Sequence, residues 1–321
     1  MKGYALLAGV LALAMLILPA AAVPRGNPAP TGQPEKEAKA ETIAVMATAT
    51  GKVTRMEMRE YLTGVLAAEL SPETHPEAVK AQAVAAYTYA LYVRNRNRQK
   101  QDSSLRGADI SDSPAACQGY FTPENRKEKW GRDFEENEKK FTQAVDAVYG
   151  WVITYEGMPI LAAYFDTCNG RTQAAKNLWG GGFPYLQSVA SPGDRLNPAL
   201  VDAATFSFAE FRTAAEKTEG VVLGDDPEEW VEKPVNNEDG YVKSLTVGGK
   251  AFTGAMARRA FGLKSTAFTV TVNDTGVVFR TEGSGHGVGM SQYGADYMAR
   301  QGSTWEEILQ HYYTDIEIEY P

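Results

Sequence analysis

One carboxylic acid in the chain has surroundings suited to proton transfer. Glu69 follows the apolar and small residues 65–68 and precedes Leu70. The apolar spacing over residues 57–68 predicts an amphipathic helix, so Glu69 is expected at its carboxyl end. The negative end of the helix dipole and burial both raise the pKa of a carboxyl group, as a general acid at neutral pH requires. The alternative is a solvated surface carboxylate.

A second segment, residues 282–294, interleaves glycines with polar residues. Glycine has no Cβ, so a ligand can approach the backbone closely. His286, Ser291 and Gln292 are candidate substrate-binding residues, because free amides at a helix start and polar side chains suit the hydroxyl and acetamido groups of a sugar. The segment lacks the Lys-Ser/Thr pair of a phosphate loop. A packed bend with a hydrogen-bonded His286 is the alternative.

Two further patterns have both a functional and a structural interpretation. Trp179, Phe183 and Tyr185 flank three glycines, and their rings either stack on sugar faces or form a corner of the core. Residues 94–100 carry three arginines and a lysine. This basic cluster is interpreted as a solvated helix end, with a substrate-binding patch as the alternative.

Predicted strands and helices are interspersed along the chain and would position these residues. This pattern predicts an α+β fold, in which small mixed sheets and hairpins pack with helices. A second helix is predicted to start at Pro76 and to run towards Arg98. Strand pairs are predicted at 43–50 with 52–56, at 151–155 with 160–165, after Tyr241 with a turn at Gly248 and Gly249, and at 268–272 with 277–281. A short helix is predicted over 253–261.

The amino-terminal residues predict a membrane segment. Residues 4–23 form a run of 20 uncharged residues behind Lys2, long enough to span a bilayer as a helix. We assign residues 1–23 to an anchor or signal segment and favour the anchor, because the run exceeds the usual signal core of about 7–15 residues. A proline-rich linker, residues 24–41, is predicted to be a disordered tether. Residues 42–321 then form an extracytoplasmic domain.

Composition excludes several classes of function. The 32 basic and 40 acidic residues give a net charge of −8, which disfavours binding to nucleic acid. The chain has two cysteines and three histidines without CxxC or HExxH spacing, so no metal and no cofactor are expected. Seven acidic residues and one lysine between Asp225 and Asp239 predict an acidic surface insertion.

Two long motifs resemble the stage II sporulation protein D and amidase-enhancer family. The first comprises residues 60–72 and 75–90, and the second comprises 285–294 with the ending 308–313. The resemblance covers essentially the whole chain from Ile43 onward, in the expected order.

The resemblance implies a membrane-anchored lytic transglycosylase that cleaves peptide-stripped glycan strands of peptidoglycan during forespore engulfment. Glu69 would protonate the oxygen between MurNAc and GlcNAc and then take the proton of the muramic acid C6 hydroxyl, which closes a 1,6-anhydro ring. No second carboxylate is needed, unlike ordinary glycoside hydrolysis. Lys80, Thr172 and Tyr185 are implied as active-site neighbours. A cation beside Glu69 would lower its pKa, so Lys80 is expected to contact substrate; otherwise it is an exposed helix lysine.

The resemblance also implies partners and a location. The partners are denuded glycan strands, a cell-wall amidase or endopeptidase, and a membrane scaffold of the engulfment machinery. The location is the cell membrane with a single span, or outside the cell if the first segment is cleaved. Two other functions stay open: a non-catalytic glycan-binding activator of a cell-wall amidase, and a structural link across an intermembrane space.

The cysteines differ from those of relatives. Some clostridial relatives carry a zinc site of two histidines and two cysteines before a Cys-Gln pair. This chain keeps Cys117 and Gln118 without nearby histidines, so that site is expected to be lost. An oxidising extracytoplasmic setting favours a disulfide between Cys117 and Cys168, with two separate thiols as the alternative.

Overall fold

Helices and short strands are interspersed through residues 41–114 and 116–320, the part of the chain that the computed structural model describes. The predicted α+β class is confirmed. The predicted membrane segment, residues 1–23, lies outside the described residues, as does the tether up to residue 40. Within the described part, no helix combines the length and apolar character needed to cross a membrane.

The first sheet and two helices follow the sequence predictions closely. Strands β1 (Thr42–Met46) and β2 (Val53–Glu57) pair antiparallel, and β3 (Ile110–Ser111) pairs in parallel with β1. Helix α1 (Met58–Glu69) begins directly after β2 and ends on the predicted acid. Helix α2 (Pro76–Gln99) begins at proline, whose fixed φ suits a first turn, after the N-cap His75.

The central part of the chain adds two helices and a small sheet. Helices α3 (Pro123–Trp130) and α4 (Phe134–Val148) are followed by β4 (Val152–Tyr155) and β5 (Met158–Pro159), which pair antiparallel. The predicted strand over 160–165 is interrupted. Its last two residues, β6 (Tyr164–Phe165), leave this hairpin and pair in parallel with Met290–Ser291, which draws the carboxyl-terminal motif against the middle of the chain.

A second core contains antiparallel sheets and two short helices. Its elements are β7 (Val201–Phe206), α5 (Phe208–Ala215), β8 (Val235–Asn236), β9 (Val242–Val247), β10 (Lys250–Thr253), α6 (Gly254–Ala260), β11 (Phe268–Asn273) and β12 (Gly276–Glu282). The predicted hairpins at 248–249 and 273–276 are confirmed. Stacked aromatic rings fill this core, and the ring centroids of Phe211 and Phe261 are 5.0 Å apart.

The acidic segment 225–239 is anchored at both ends. Most of its carboxylates are exposed, as a surface insertion predicts. Trp230, however, is 4% exposed and packs in the second core, and β8 joins the β9–β10 sheet. Asp239 is buried and accepts a hydrogen bond from Ser188 Oγ at 2.6 Å. The segment therefore belongs to the fold rather than projecting from it.

The carboxyl-terminal elements return to the first core. Strand β13 (Met290–Ser291), helices α7 (Gln292–Arg300) and α8 (Trp305–Tyr312) and strand β14 (Glu317–Glu319) complete the chain, and β14 pairs with β4. Helices α1, α4, α7 and α8 all contact α2. Small residues at Ala81, Ala85 and Ala86 are fully buried along α2, which lets these neighbours approach closely.

A buried cation ties α1, α3 and α4 together. Arg126 on α3 is 1% exposed, and its Nη2 lies 2.9 Å from Glu60 Oε1 and 2.8 Å from Glu138 Oε1. Its Nη1 also donates to the carbonyl oxygen of Phe121 at 3.0 Å. Every side of the guanidinium group is thereby satisfied within the protein.

We expect Arg126→Ala to destabilise the protein by about 3 kcal/mol, because it removes one partner of a buried charge network and leaves two carboxylates facing each other. Urea unfolding followed by circular dichroism measures the change. Arg132→Ala is the control: that side chain is 94% exposed, so we expect a change within about 0.5 kcal/mol. Equal effects of the two substitutions would contradict a structural role for the Arg126 network.

Candidate active site

A cleft of about 510 Å³ has Glu69 in its wall. Its other walls come from the second half of α2, the chain around Cys117, β6 and the glycine-rich segment at Gly285 and His286. The parallel pairing of β6 with β13 places the last two of these walls side by side. The cleft thus collects segments from both ends of the folded chain around one carboxyl group.

Two hydrogen bonds hold the carboxyl group of Glu69. Oε1 accepts from the backbone amide of Gly119 at 2.9 Å, and Oε2 accepts from Gln292 Nε2 at 3.4 Å. Burial raises the pKa of Glu69, whereas these two donors lower it, and burial is the larger effect. The Glu69 carboxyl group therefore holds its proton more strongly than an exposed glutamate does, and both of its oxygens have hydrogen-bond donors that stabilise the anion.

The absence of a side chain at residue 119 leaves room for this contact. A Cβ at this position would lie 3.1 Å from Glu69 Oε1 and 3.3 Å from Ala68 Cβ. Glycine therefore allows the backbone amide to reach the acid. The neighbouring Gln118 side chain fixes this part of the chain: its Nε2 donates to Tyr61 Oη at 3.1 Å, and its Oε1 accepts from Tyr164 Oη at 2.8 Å.

His286 lines the same cleft as an uncharged ring. Its Nδ1 accepts from the backbone amide of Val288 at 3.1 Å. Burial and the nearby charge of Arg258 lower the pKa of His286 to about 4. The imidazole packs against two aromatic rings, with its centroid 5.6 Å from that of Phe165 and 5.2 Å from that of Trp179. At neutral pH the imidazole is therefore uncharged. It forms part of the cleft wall, and its hydrogen bond to the Val288 amide holds the local backbone.

Ser291 and Gln292 are adjacent, but they face different surroundings. Ser291 is fully buried, caps α7 by accepting from the Gly294 amide at 3.2 Å, and donates to Asp194 Oδ1 at 2.6 Å. Asp194 also accepts from the Cys168 amide at 3.1 Å and from the Ser191 hydroxyl. Ser291 thus sets the start of α7, and Gln292, the first residue of that helix, reaches Glu69.

The three residues implied by the family resemblance do not line this cleft. Lys80 Nζ lies 2.7 Å from Glu77 Oε1, in a second groove of about 710 Å³ beside α4. Thr172 is fully buried, and its Oγ1 accepts from the Val189 amide at 2.9 Å. Tyr185 is nearly buried, and its Oη accepts from the Leu161 amide at 3.0 Å. Leu161 lines the cleft, so Tyr185 contacts a cleft-lining residue without lining the cleft itself.

Of the predicted site residues, Glu69 and His286 line the cleft, and Gln292 donates a hydrogen bond to Glu69. Sequence reasoning missed Gly119, whose backbone amide donates to Glu69, and the hydrogen-bonded pair of Gln118 and Tyr164 in the cleft wall. Their sequence context carries no local signal for this role, although Gln118 follows one of the two cysteines. Arg96 was assigned with its basic cluster to a solvated helix end, yet it lines the cleft.

The predicted disulfide between Cys117 and Cys168 is wrong, because both thiols are free. Cys117 is half-buried in the wall of the cleft. Cys168 is buried elsewhere, with its Sγ 3.2 Å from Asp194 Oδ2, and burial raises the pKa of its thiol. The two cysteines therefore belong to different parts of the core.

Comparison with known proteins agrees with the motifs. The profile of a family described as "Stage II sporulation protein" matches residues 46–155. The chain is 36% identical over 283 residues to stage II sporulation protein D of Bacillus amyloliquefaciens, covering 86% of this chain and 78% of that protein. It is 36% identical over 293 residues to the protein of that name from Bacillus subtilis, covering 91% and 83%. It is 26% identical over 302 residues to the amidase enhancer of Bacillus subtilis, covering 78% and 39%.

We expect one thiol of the native, unreduced protein to react quickly with a thiol reagent, and two to react after unfolding. Cys117 is partly accessible in the cleft, whereas Cys168 is buried and hydrogen-bonded to Asp194. Labelling followed by peptide mass spectrometry identifies the reactive site. The control variant Cys117→Ser should lose the fast reaction. No reactive thiol in the unfolded, unreduced chain would instead mean a disulfide.

Proposed function

Because the chain belongs to the stage II sporulation protein D family, we propose that it is a lytic transglycosylase of peptide-stripped peptidoglycan strands. One observation carries the proposal: Glu69 lies half-buried in the wall of a cleft, with a raised pKa and two hydrogen-bond donors on its oxygens. That is the environment of a group which gives up a proton and takes one back.

The proposed reaction uses Glu69 twice. The protonated carboxyl group donates to the glycosidic oxygen between MurNAc and GlcNAc, and the bond from that oxygen to the MurNAc C1 breaks. The resulting carboxylate removes the proton from the C6 hydroxyl, whose oxygen bonds to C1 and closes the 1,6-anhydro ring. Glu69 ends protonated, and no water is consumed. The Gly119 amide and Gln292 stabilise the carboxylate between the two steps.

The composition of the cleft supports this reaction over ordinary hydrolysis. Among the cleft-lining residues in the described part of the chain, Glu69 is the one acidic side chain. Retaining and inverting hydrolases use a pair of carboxyl groups on the two sides of the bond. A single acid–base group fits ring closure by the sugar's own hydroxyl.

We further propose a location and partners for this activity. Residues 4–23 anchor the chain in the cell membrane with residues 42–321 outside the cytoplasm, tethered by the linker between them. Peptide-stripped strands require an amidase or endopeptidase acting on the same wall, and a membrane scaffold of the engulfment machinery would hold the two activities together.

One relative favours a second candidate function. The amidase enhancer of Bacillus subtilis shares 26% identity with this chain. On that analogy, the same cleft would bind glycan strands without cleaving them and would recruit an amidase. The two candidates differ in whether the proton of Glu69 is required.

We expect Glu69→Gln to lower the formation of anhydro-ended products from peptide-free strands by about 10² to 10⁴-fold, because the amide keeps the shape and cannot donate the proton. Mass spectrometry of the products measures the rate. Glu73→Gln is the control, an exposed residue four positions further along, and should cleave normally. If the wild-type protein sediments with the strands and yields no anhydro products, the glycan-binding activator replaces the enzyme.

We expect Gln292→Leu to extend cleavage to higher pH. The Gln292 amide stabilises the carboxylate and lowers the pKa of Glu69, so its loss raises that pKa further. Protonated Glu69 then persists at higher pH, and the alkaline fall of kcat/KM moves upward from its wild-type position. Gln301→Leu, at the other end of α7, should leave the profile in place. A lower rate with an unmoved profile would assign Gln292 a packing role alone.

A further inference from the structure

Arg258 is a charged side chain of the cleft with no acidic partner. It lies on α6 and lines the cleft that contains Glu69. Within residues 41–114 and 116–320 it forms no ion pair, and burial lowers the pKa of its guanidinium without a compensating carboxylate. A cation in this position lacks the counter-charge that a partly buried charge needs.

The guanidinium group of Arg258 is nevertheless held in place. Its Nε donates to the carbonyl oxygens of Leu263 and Lys264, each at 3.2 Å. These contacts occupy one of the nitrogens, and no hydrogen bond to the two terminal nitrogens is found within the described part of the chain. The paired N–H groups of an arginine fork match the two oxygens of a carboxylate.

Two other arginines that are removed from solvent have acidic partners within the protein. Arg126 is bridged by Glu60 and Glu138, and Arg94 Nη2 lies 2.7 Å from Glu41 Oε1. Arg258 differs from both because its surroundings in the cleft contain a neutral His286 and a second arginine, Arg96. The positive charge of Arg258 is therefore left without an ion-pair partner among the described residues, in the cleft that Glu69 also lines.

We propose that Arg258 binds the free lactyl carboxylate of a muramic acid residue in the glycan strand. This inference rests on the proposed function, since it assigns a specificity-determining residue to the same cleft. In a bare strand of alternating GlcNAc and MurNAc, the lactyl group is the source of negative charge. When a peptide is attached, that group is an amide, which carries no charge and has lost one of the two oxygens.

The proposal gives a physical reason for selecting stripped strands. Hydrolysis of the lactyl amide by a separate amidase creates the carboxylate that the arginine fork recognises. Strands that still carry peptides present an uncharged amide and leave Arg258 without a counter-charge. The preference for stripped strands over peptide-bearing strands would therefore arise from the charge of the lactyl group as well as from the volume of the attached peptide.

The test compares three soluble tetrasaccharides on the full-length chain carrying Glu69→Gln, which prevents turnover during the measurement. The first is (GlcNAc-MurNAc)₂ with free lactyl groups, the second is the same sugar with lactyl carboxamides, and the third is chitotetraose. Calorimetry gives the dissociation constants. We expect the free acid to bind about tenfold to one-hundredfold more tightly than the carboxamide, as a charge-assisted bidentate pair provides.

Substitutions locate the selectivity. Arg258→Gln should reduce the preference for the free acid to near unity while leaving the affinity for chitotetraose unchanged. Arg259→Gln is the matched control, because the adjacent side chain is exposed and does not line the cleft, and it should keep the preference. Arg258→Lys, which retains the charge without the fork, should give an intermediate preference and serves if the glutamine variant does not fold.

The outcomes separate this inference from the proposed function. Equal affinity of the unsubstituted Arg258 site for the acid and the carboxamide overturns the inference without any need for a variant. A preference retained in Arg258→Gln overturns it as well. Anhydro products formed without any carboxylate preference would contradict the inference and leave the enzyme standing. A preference without anhydro products would support the Arg258 site and contradict the enzyme.

Discussion

The site depends on the balance of forces on one carboxyl group. Glu69 ends α1 where burial disfavours its anion, and only the Gly119 amide and the Gln292 side chain oppose that effect. With more donors the group would be a permanent anion, and with none it would be reluctant to release its proton. The surrounding elements are arranged so that each donor reaches one oxygen. The proposed acid–base role is therefore a property of three segments rather than of the helix that carries the residue.

The arrangement of these segments follows from packing around α2. Its buried alanines let α1, α4, α7 and α8 pack against one helix, and the short parallel pair of β6 and β13 brings the glycine-rich segment to the same place. Gly289 in that segment has φ of +80°, and a Cβ there would collide with the Ala163 carbonyl oxygen. Close backbone contact thus explains part of the glycine content that the sequence analysis ascribed to ligand approach.

Sequence reasoning succeeded where the signal was local. The ends of α1 and α2, the hairpin at Gly248 and the position of Glu69 are encoded by apolar spacing, proline and glycine within a few residues. It failed where partners are distant in the chain. Ser291 was expected to bind substrate, but its hydroxyl donates to Asp194, 97 positions away. The two cysteines lie in separate environments, which the composition of the chain does not specify. The predicted 160–165 strand is interrupted because β6 pairs with residues near the carboxyl terminus.

The bond between Gln292 and Glu69 spans 223 positions of the chain. A ribosome makes the acid early and its side-chain donor near the end of synthesis, after the hairpins of the second core. A prematurely terminated polypeptide would carry the carboxyl group without this neighbour and without α7. The full set of hydrogen bonds on the carboxyl group of Glu69 is consequently available only after α7 has been synthesised and packed.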